Sequence, residues 1–255
     1  MATFSIITPT YKKADKLTRA IRSVFEQANQ NFTMIIVNDS PDDASYASLE
    51  QGLLLDTRIR YVKNEKNMGA NFSRNRGISM ADEDSWIIFL DDDDYLANEA
   101  LLTFETLIEK HSKEHWFIAN RADESGISYT RIVPDKAHLE YAWNFLILRK
   151  FSGDATHCIR ASFAKKILFP MHIRQGDEWI FFYELGTKTG FYYTNYNATL
   201  TDGYDASGLN FRARSTHTQL HTLRLLWNEG ASRGLLSKPS FLIYMAMRFV
   251  RAFVK

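Results

Sequence analysis

The chain has 255 residues, 45% of them hydrophobic, enough to bury a sizeable core in one or two domains. A net charge of +1 gives no reason to expect a nucleic-acid partner, and a single cysteine, Cys158, excludes an internal disulfide and points to a reducing compartment. The N-terminus lacks the basic start and long apolar core of a secretion signal, and no apolar run approaches the roughly 18 residues that span a bilayer, so a cytoplasmic location is expected.

In chain order, Thr3 to Thr8 predicts a buried strand ended by Pro9. Asp15 to Gln27 predicts a helix with Leu17, Ala20, Ile21, Val24 and Phe25 on one face and Asp15 capping its start. Phe32 to Val37 and Ile59 to Lys63 predict two more strands, Asn67 to Met80 a helix, and Trp86 to Leu90 a fourth strand. Strands alternating with helices mean an α/β fold with a parallel sheet, whose ligands sit at the carboxyl ends of the strands. Pro9, Thr10, Tyr11, Asp39 and the run Asp91 to Asp94 all follow strand ends and should meet in one crevice. Further on, Asn98 to His111 predicts a helix with Leu101, Leu102, Phe104, Leu107 and Ile108 turned inward. His115 to Ala119 and Ile127 to Val133 predict strands, Leu139 to Lys150 and Glu178 to Thr187 helices, and Gly190 to Tyr196 an aromatic strand. Residues 1–205 then form one compact unit, followed by a helical extension over 206–255.

The stretch "WIIFLDDDDYL", Trp86 to Leu96, carries the strongest chemical signal. One or two aspartates at a strand end can cap a turn, but four adjacent like charges repel one another. A divalent cation relieves that repulsion, and carboxylate oxygens suit Mg²⁺, Mn²⁺ or Ca²⁺. An EF-hand loop starting at Asp91 fails, because Leu96 and Leu102 stand where Gly and Glu are needed. Asp91-Asp92-Asp93 resembles the Asp-x-Asp of haloacid dehalogenase phosphatases, except that Tyr95 replaces their Thr or Val. A metal-dependent phosphatase or nucleotidyltransferase therefore stays open as an alternative. The third option holds Mg²⁺ or Mn²⁺ between one or two carboxylates and a nucleoside diphosphate.

Four segments occur in order: "FSIITPTYKKADKLTRAIRSVFEQ", "FTMIIVNDSPDD", "NEKNMGANFSRNRGI" and "WIIFLDDDDYL". Together they resemble glycosyltransferase family 2, the inverting nucleotide-sugar transferases of bacterial envelope polysaccharides. The resemblance implies a GT-A fold with a central, mostly parallel sheet. Residues 1–97 become the nucleotide-binding half, 98–205 the acceptor-side half, and 206–255 a helical basic tail. It implies that Thr8, Pro9 and Tyr11 flank the nucleobase and that Asp39 accepts from its imide N–H, which suits a UDP-linked donor. Asn67, Gly69, Arg74, Asn75 and Gly77 match the family's "N-x-G…RN-x-G" segment, with Asn67 and Arg74 facing the nucleotide. Asp91 and Asp92 touch the donor, Asp93 is the main ligand to Mn²⁺ or Mg²⁺ with Asp91 beside it, and Asp94 orients the donor sugar.

Inverting transfer also needs a base for the acceptor hydroxyl. The family supplies it from an acidic pair before an aromatic helix, which "RQGDEWIFFYELG" resembles through Asp177-Glu178-Trp179. Glu178 stands just before the aromatic residue, and Asp177 is the base if the register slips by one. The family's Arg a few residues on is replaced by Tyr183 and Glu184. His157 offers a phosphate donor or a structural imidazole, and Cys158 reads as core. An inactive transferase-like module that binds glycans is the other alternative, against which the acidic pair argues.

Net charge hides an asymmetry. Eight of the 31 Lys/Arg but one of the 30 Asp/Glu, Glu229, fall from Ala206 to Lys255. The closing "PSFLIYMAMRFVRAFVK" interleaves large apolar residues with Arg248, Arg251 and Lys255. Residues 238–255 read as a basic amphipathic helix that lies on an anionic membrane or packs on its own domain or a twin subunit. A saccharide or lipid-linked saccharide acceptor at the inner face of the cytoplasmic membrane would suit the first reading.

Overall fold

A computed structural model describes residues 1–53, 55–130, 139–172, 177–202 and 216–253. The first strand, β1 (Phe4–Thr10), runs two residues beyond its predicted end, through Pro9. Thr10 O accepts from Asp39 N on one side and Ile7 O from Leu90 N on the other, so Pro9 presents its nitrogen toward the second neighbour. That neighbour has already ended, and the missing donor costs nothing there.

Helix α1 (Ala14–Phe25) follows, with Lys13 rather than Asp15 at its N-cap. Lys13 N donates to the Tyr46 hydroxyl at 3.0 Å, and Asp15 lies within the first turn. Then come β2 (Phe32–Asn38), a 3₁₀ turn (Ala44–Tyr46), α2 (Ala47–Leu53) and β3 (Ile59–Lys63). Helix α3 (Ala70–Met80) starts three residues later than predicted, because Gly69 takes φ 92° and its N–H and that of Met68 are bound by the Asp39 carboxylate. Strand β4 (Trp86–Phe89) and the short β5 (Asp94–Leu96) enclose the acidic turn.

The second half contains α4 (Ala100–Lys110), β6 (Trp116–Asp123), a π-helical stretch (Ala142–Ile147), β7 (Ala155–Arg160), α5 (Ala161–Ala164), α6 (Trp179–Gly186) and β8 (Tyr192–Thr201). It closes with α7 (Thr216–Ser232), a 3₁₀ turn (Leu235–Ser237) and α8 (Pro239–Arg251). Leu102 faces outward on α4, whose buried stripe is Leu101, Phe104 and Glu105. No strand forms over 127–130. The Asp123 carboxylate takes the N–H groups of Ser125 and Ile127, turning the chain sharply so that only a bridge from Ser128 to Ala122 remains. Residues 131–133 of that predicted strand lie outside the described residues. The helix predicted over Leu139 to Lys150 is instead a π-helical turn, with Leu148 N reaching Trp143 O at 2.9 Å.

The eight strands among the described residues join one sheet in the order β3-β2-β1-β4-β7-β6-β8-β5. Four of its seven pairings are parallel: β1 with β2 and β4, β2 with β3, and β6 with β8. Successive residues of the central strands point to opposite faces, so Ile6, Ile36 and Ile88 bury on one side and Ile7, Ile35 and Ile87 on the other. The first face packs on α1 and α4 through Leu17, Ala20, Val24, Leu101 and Phe104. The second packs on α3, α6, α7 and α8 through Ile78, Phe181, Leu226 and Phe241. Among the described residues no helix is long and apolar enough to cross a membrane.

Candidate active site

Strands β1 and β4 are neighbours, so their carboxyl ends bring Tyr11 to Lys13 against the aspartate run. The run alternates. Asp91 and Asp93 keep 44% and 33% of their side chains accessible, while Asp92 and Asp94 keep 9% and 4%. Each carboxylate has a counter-charge or donor. Asp92 accepts from Tyr11 N at 3.1 Å and lies 3.4 Å from Lys13 Nζ, tying two strand-end loops together. Asp93 lies 2.6 Å from the same ammonium, and its backbone oxygen accepts from Arg19. Asp94 pairs with Arg121 at 2.8 Å, whose other branch reaches Asp154 at 3.1 Å. Burial pushes Asp92 up to about 6 against the pull of Lys13, and pushes Asp94 up to about 7 against Arg121.

Arg74 joins this turn to the second acidic pair. It projects from the first turns of α3, and its two branches donate to Asp91 Oδ1 at 3.0 Å and Glu178 Oε1 at 3.1 Å. Desolvation opposes the charge on Arg74, but Asp91 and Glu178 outweigh it and raise its pKa. Desolvation likewise opposes the charge on Asp91, but Arg74, then Arg121 and Lys13, hold it below the ordinary carboxylate range. The helix carrying Arg74 is fixed by its neighbours in the same motif. Asn75 exchanges two hydrogen bonds with the Phe169 backbone at 2.8 and 3.0 Å, Asn71 donates to Pro170 O, and Gly77 packs on Ile7.

The acidic pair splits. Glu178, at the start of α6, faces Arg74, whereas Asp177 turns away and is buried against α8. Asp177 Oδ1 accepts from Trp179 Nε1 at 3.1 Å and from Arg248. Tyr183 and Glu184, the residues that depart from the expected pattern, bind Ser240 at 2.7 Å and Arg233 at 2.7 Å.

The remaining predicted residues lie around the strand ends. Tyr11 is 42% exposed, with Lys12 Nζ over its ring 5.4 Å from the centroid. Thr8 is fully buried, and its hydroxyl has no hydrogen-bond partner among the described residues. Asp39 is buried and already accepts three hydrogen bonds, from Asn64 Nδ2, Met68 N and Gly69 N at 2.7 to 2.8 Å. A carboxylate offers about four acceptor positions, and these three bonds fill most of them. Asn67 is exposed on the loop that Asp39 pins. His157 belongs to the core: it stacks on Phe182 at 4.0 Å, accepts from Trp116 Nε1 at 3.1 Å, and burial drives its pKa down to about 3. Cys158 is buried and its thiol is pushed up by burial.

Lys13 and Arg121 were not singled out by the sequence, and Arg248, read there as a basic residue of the tail helix, pairs instead with Asp177. Lys13 alone had a local signal, its place two residues after Tyr11 at a strand-to-helix junction opposite an acidic run. Among the described residues no three His, Cys, Asp or Glu side chains converge into a metal cage. The two accessible carboxylates, Asp91 and Asp93, fit a hard cation that takes one or two protein oxygens and completes its shell with phosphate and water.

Comparisons with known proteins bear on the family and the fold. The family model described as "Glycosyl transferase family 2" matches residues 5–168. A Bacillus subtilis protein named for teichuronic acid biosynthesis, TuaG, is 37% identical over 90 residues, 35% of each chain. The Campylobacter jejuni GalNAc(5)-diNAcBac-PP-undecaprenol beta-1,3-glucosyltransferase is 32% identical over 104 residues, 40% of this chain and 33% of that one. The matches thus span about a third of the length of these curated relatives. The crystal structure of S. aureus TarS 1-349 in complex with UDP superposes with a TM-score of 0.69 at 18% identity, covering 88% of this chain and 64% of that one.

Proposed function

Given that the chain belongs to glycosyl transferase family 2, we propose that it moves a sugar, with inversion, from a nucleoside diphosphate to a hydroxyl of a glycan or lipid-linked saccharide, in building a bacterial surface polysaccharide. The observation that carries this reading is Arg74, one guanidinium spanning Asp91 on the strand-end turn and Glu178 on the opposite wall. A donor diphosphate placed at Asp91 and an acceptor hydroxyl placed at Glu178 would then lie on either side of a single fixed positive charge.

In this mechanism Glu178 takes the proton of the acceptor hydroxyl as its oxygen attacks the anomeric carbon. The bond from that carbon to the diphosphate breaks as the new one forms, and the electron pair leaves with the diphosphate. Arg74 and Lys13 offer positive charge to the departing phosphates. Asp91 and Asp93 would hold Mn²⁺ or Mg²⁺, which when bound supplies Lewis-acid stabilisation of the leaving group. Tyr11 would offer a ring to the base, and Asp39 a carboxylate oxygen to an imide N–H. A uracil base suits both, and TarS, which shares the fold, has been solved with UDP.

The acceptor side is read together with the tail. Helices α7 and α8 leave Trp227, Leu242, Phe249 and Val250 exposed around an apolar groove of about 580 Å³, with Arg224, Lys238 and Arg251 on the same helix pair or at its turn. This surface suits peripheral contact with an anionic membrane at the cytoplasmic face. Vesicles containing anionic lipid should bind the protein and neutral vesicles should not. A homodimer that hides these side chains would replace that reading.

The experiment is thermal melting with UDP, dTDP, GDP and CMP, each with and without Mn²⁺, followed by UDP release from a panel of UDP-sugars. Stabilisation by UDP that grows with Mn²⁺, and release of UDP rather than inorganic phosphate, supports the assignment. No shift with any nucleotide would sink it. Glu178→Gln should leave UDP binding intact and lower kcat by about 10²- to 10⁴-fold.

A further inference from the structure

We propose that Arg248, on the last helix of the chain, is a positioning residue for the reaction proposed above: it holds Asp177 in a left-handed backbone conformation and thereby sets Glu178 on Arg74. The inference rests on the reading of Glu178 as the base.

Asp177 has φ 90°, a conformation that side chains other than Gly enter at a cost and keep only where the surroundings impose it. Those surroundings are visible. Its carboxylate is 4% exposed and accepts from the Trp179 indole and the Arg248 guanidinium. Arg248 is held in turn over the rings of Trp179 and Tyr244, at 5.8 and 5.9 Å from their centroids. Glu178 is the next residue, so the backbone angle at Asp177 decides where the Glu178 side chain leaves the chain. With this angle it reaches Arg74, while Asp177 points the opposite way.

Two other polar links join α6 to the C-terminal helices, Tyr183 to Ser240 and Glu184 to Arg233. They lie five and six residues beyond Glu178. They can hold the helix in place, but they cannot set the angle before it. This difference separates positioning from general support, and Arg233→Ala is the matched control.

The test uses the full chain and the UDP-sugar giving the largest UDP release. Arg248→Ala, Arg248→Lys and Arg233→Ala are compared for kcat, donor KM, UDP affinity and melting temperature. Arg248→Ala should lower kcat by about 10- to 100-fold while UDP affinity stays within about two-fold, and Arg248→Lys should recover most of the loss. A second pair reads the backbone directly. Asp177→Gly can adopt φ 90° freely and Asp177→Ala cannot, so the glycine variant should retain at least about ten times the kcat of the alanine variant. Equal losses in that pair overturn the inference, because the carboxylate itself would then be the required group. Equal kcat for Arg248→Ala and Arg233→Ala overturns it too. If Glu178→Gln keeps full turnover, the base assignment fails first, and that result is distinct from both.

Discussion

The two walls of the crevice are built differently. On the proposed donor side, Tyr11, Lys13, Asp39 and Asp91 to Asp93 come from the ends of consecutive parallel strands and Arg74 from the helix between two of them, and most of their hydrogen bonds stay within the first hundred residues. On the proposed acceptor side, α6 and the Asp177 that precedes it are fastened by Arg233, Ser240 and Arg248, residues that arrive some fifty to seventy positions later. One wall is set by local strand-end geometry and the other by long-range packing. Arg74 is where they touch.

The largest expected effect breaks the donor wall chemically while leaving it folded. Asp93→Ala should cut transfer by about a thousand-fold, since the cation that would face the leaving group loses a ligand. Its side chain is one-third accessible, and the exposed pair with Lys13 contributes little stability, so melting should barely change. Near-normal turnover in this variant would remove Asp93 from the chemistry.

The next effect separates the walls by packing. A Cβ at Gly77 would sit 2.4 Å from Ile7 Cγ2, and one at Gly230 would sit 2.2 Å from Phe241 Cζ. Each Gly→Ala change should cost about 2 kcal/mol by overpacking, measured by denaturant unfolding. Gly77→Ala disturbs the helix that carries Arg74 and should weaken UDP binding. Gly230→Ala spreads α7 from α8 and should lower kcat with UDP binding preserved. The opposite pattern would mean that the walls are not independent.

The smallest effect concerns the core between them. Burial holds His157 neutral with a pKa near 3 against an ordinary value of 6.5. The unfolded chain therefore takes up this proton first. Stability is full above pH 6.5, falls as pH drops below it, and stops falling on this account near pH 3. At pH 5.5 the loss should be about 1 kcal/mol. His157→Asn, which keeps an acceptor for the Trp116 indole, should flatten melting temperature between pH 7 and 5.5; an unchanged slope would assign the pH dependence elsewhere.

This contrast also explains what the sequence made legible. The strands over Phe4, Phe32, Ile59 and Trp86 announce themselves as apolar runs with polar ends, and a strand end in a parallel sheet already locates a site. The alternation of Asp91 to Asp94 between accessible and buried was hidden, because it depends on Lys13 and Arg121 meeting them in space. The acceptor half was less legible. Its helix over Ala142 to Ile147 is wound by aromatic packing, with Tyr141 stacked on Phe145 at 4.9 Å, rather than by an apolar stripe of helical period. One partner of Asp177, Arg248, lies 71 residues away, a distance over which no spacing rule operates.

The pairing of β5 with β8 has a consequence for how the chain assembles. Asp94 sits opposite Thr201, more than a hundred residues on, whereas Asp91 is fixed by Arg74, 17 residues back. Closing the longer loop costs more chain entropy, and a contact of that order forms slowly. The four aspartates are adjacent in the chain but are held by partners from opposite directions along it. Asp91 needs only Arg74 and the Asp94 carboxylate only Arg121, 27 residues on, whereas the β5–β8 pairing at Asp94 closes only when the chain has run on to Thr201.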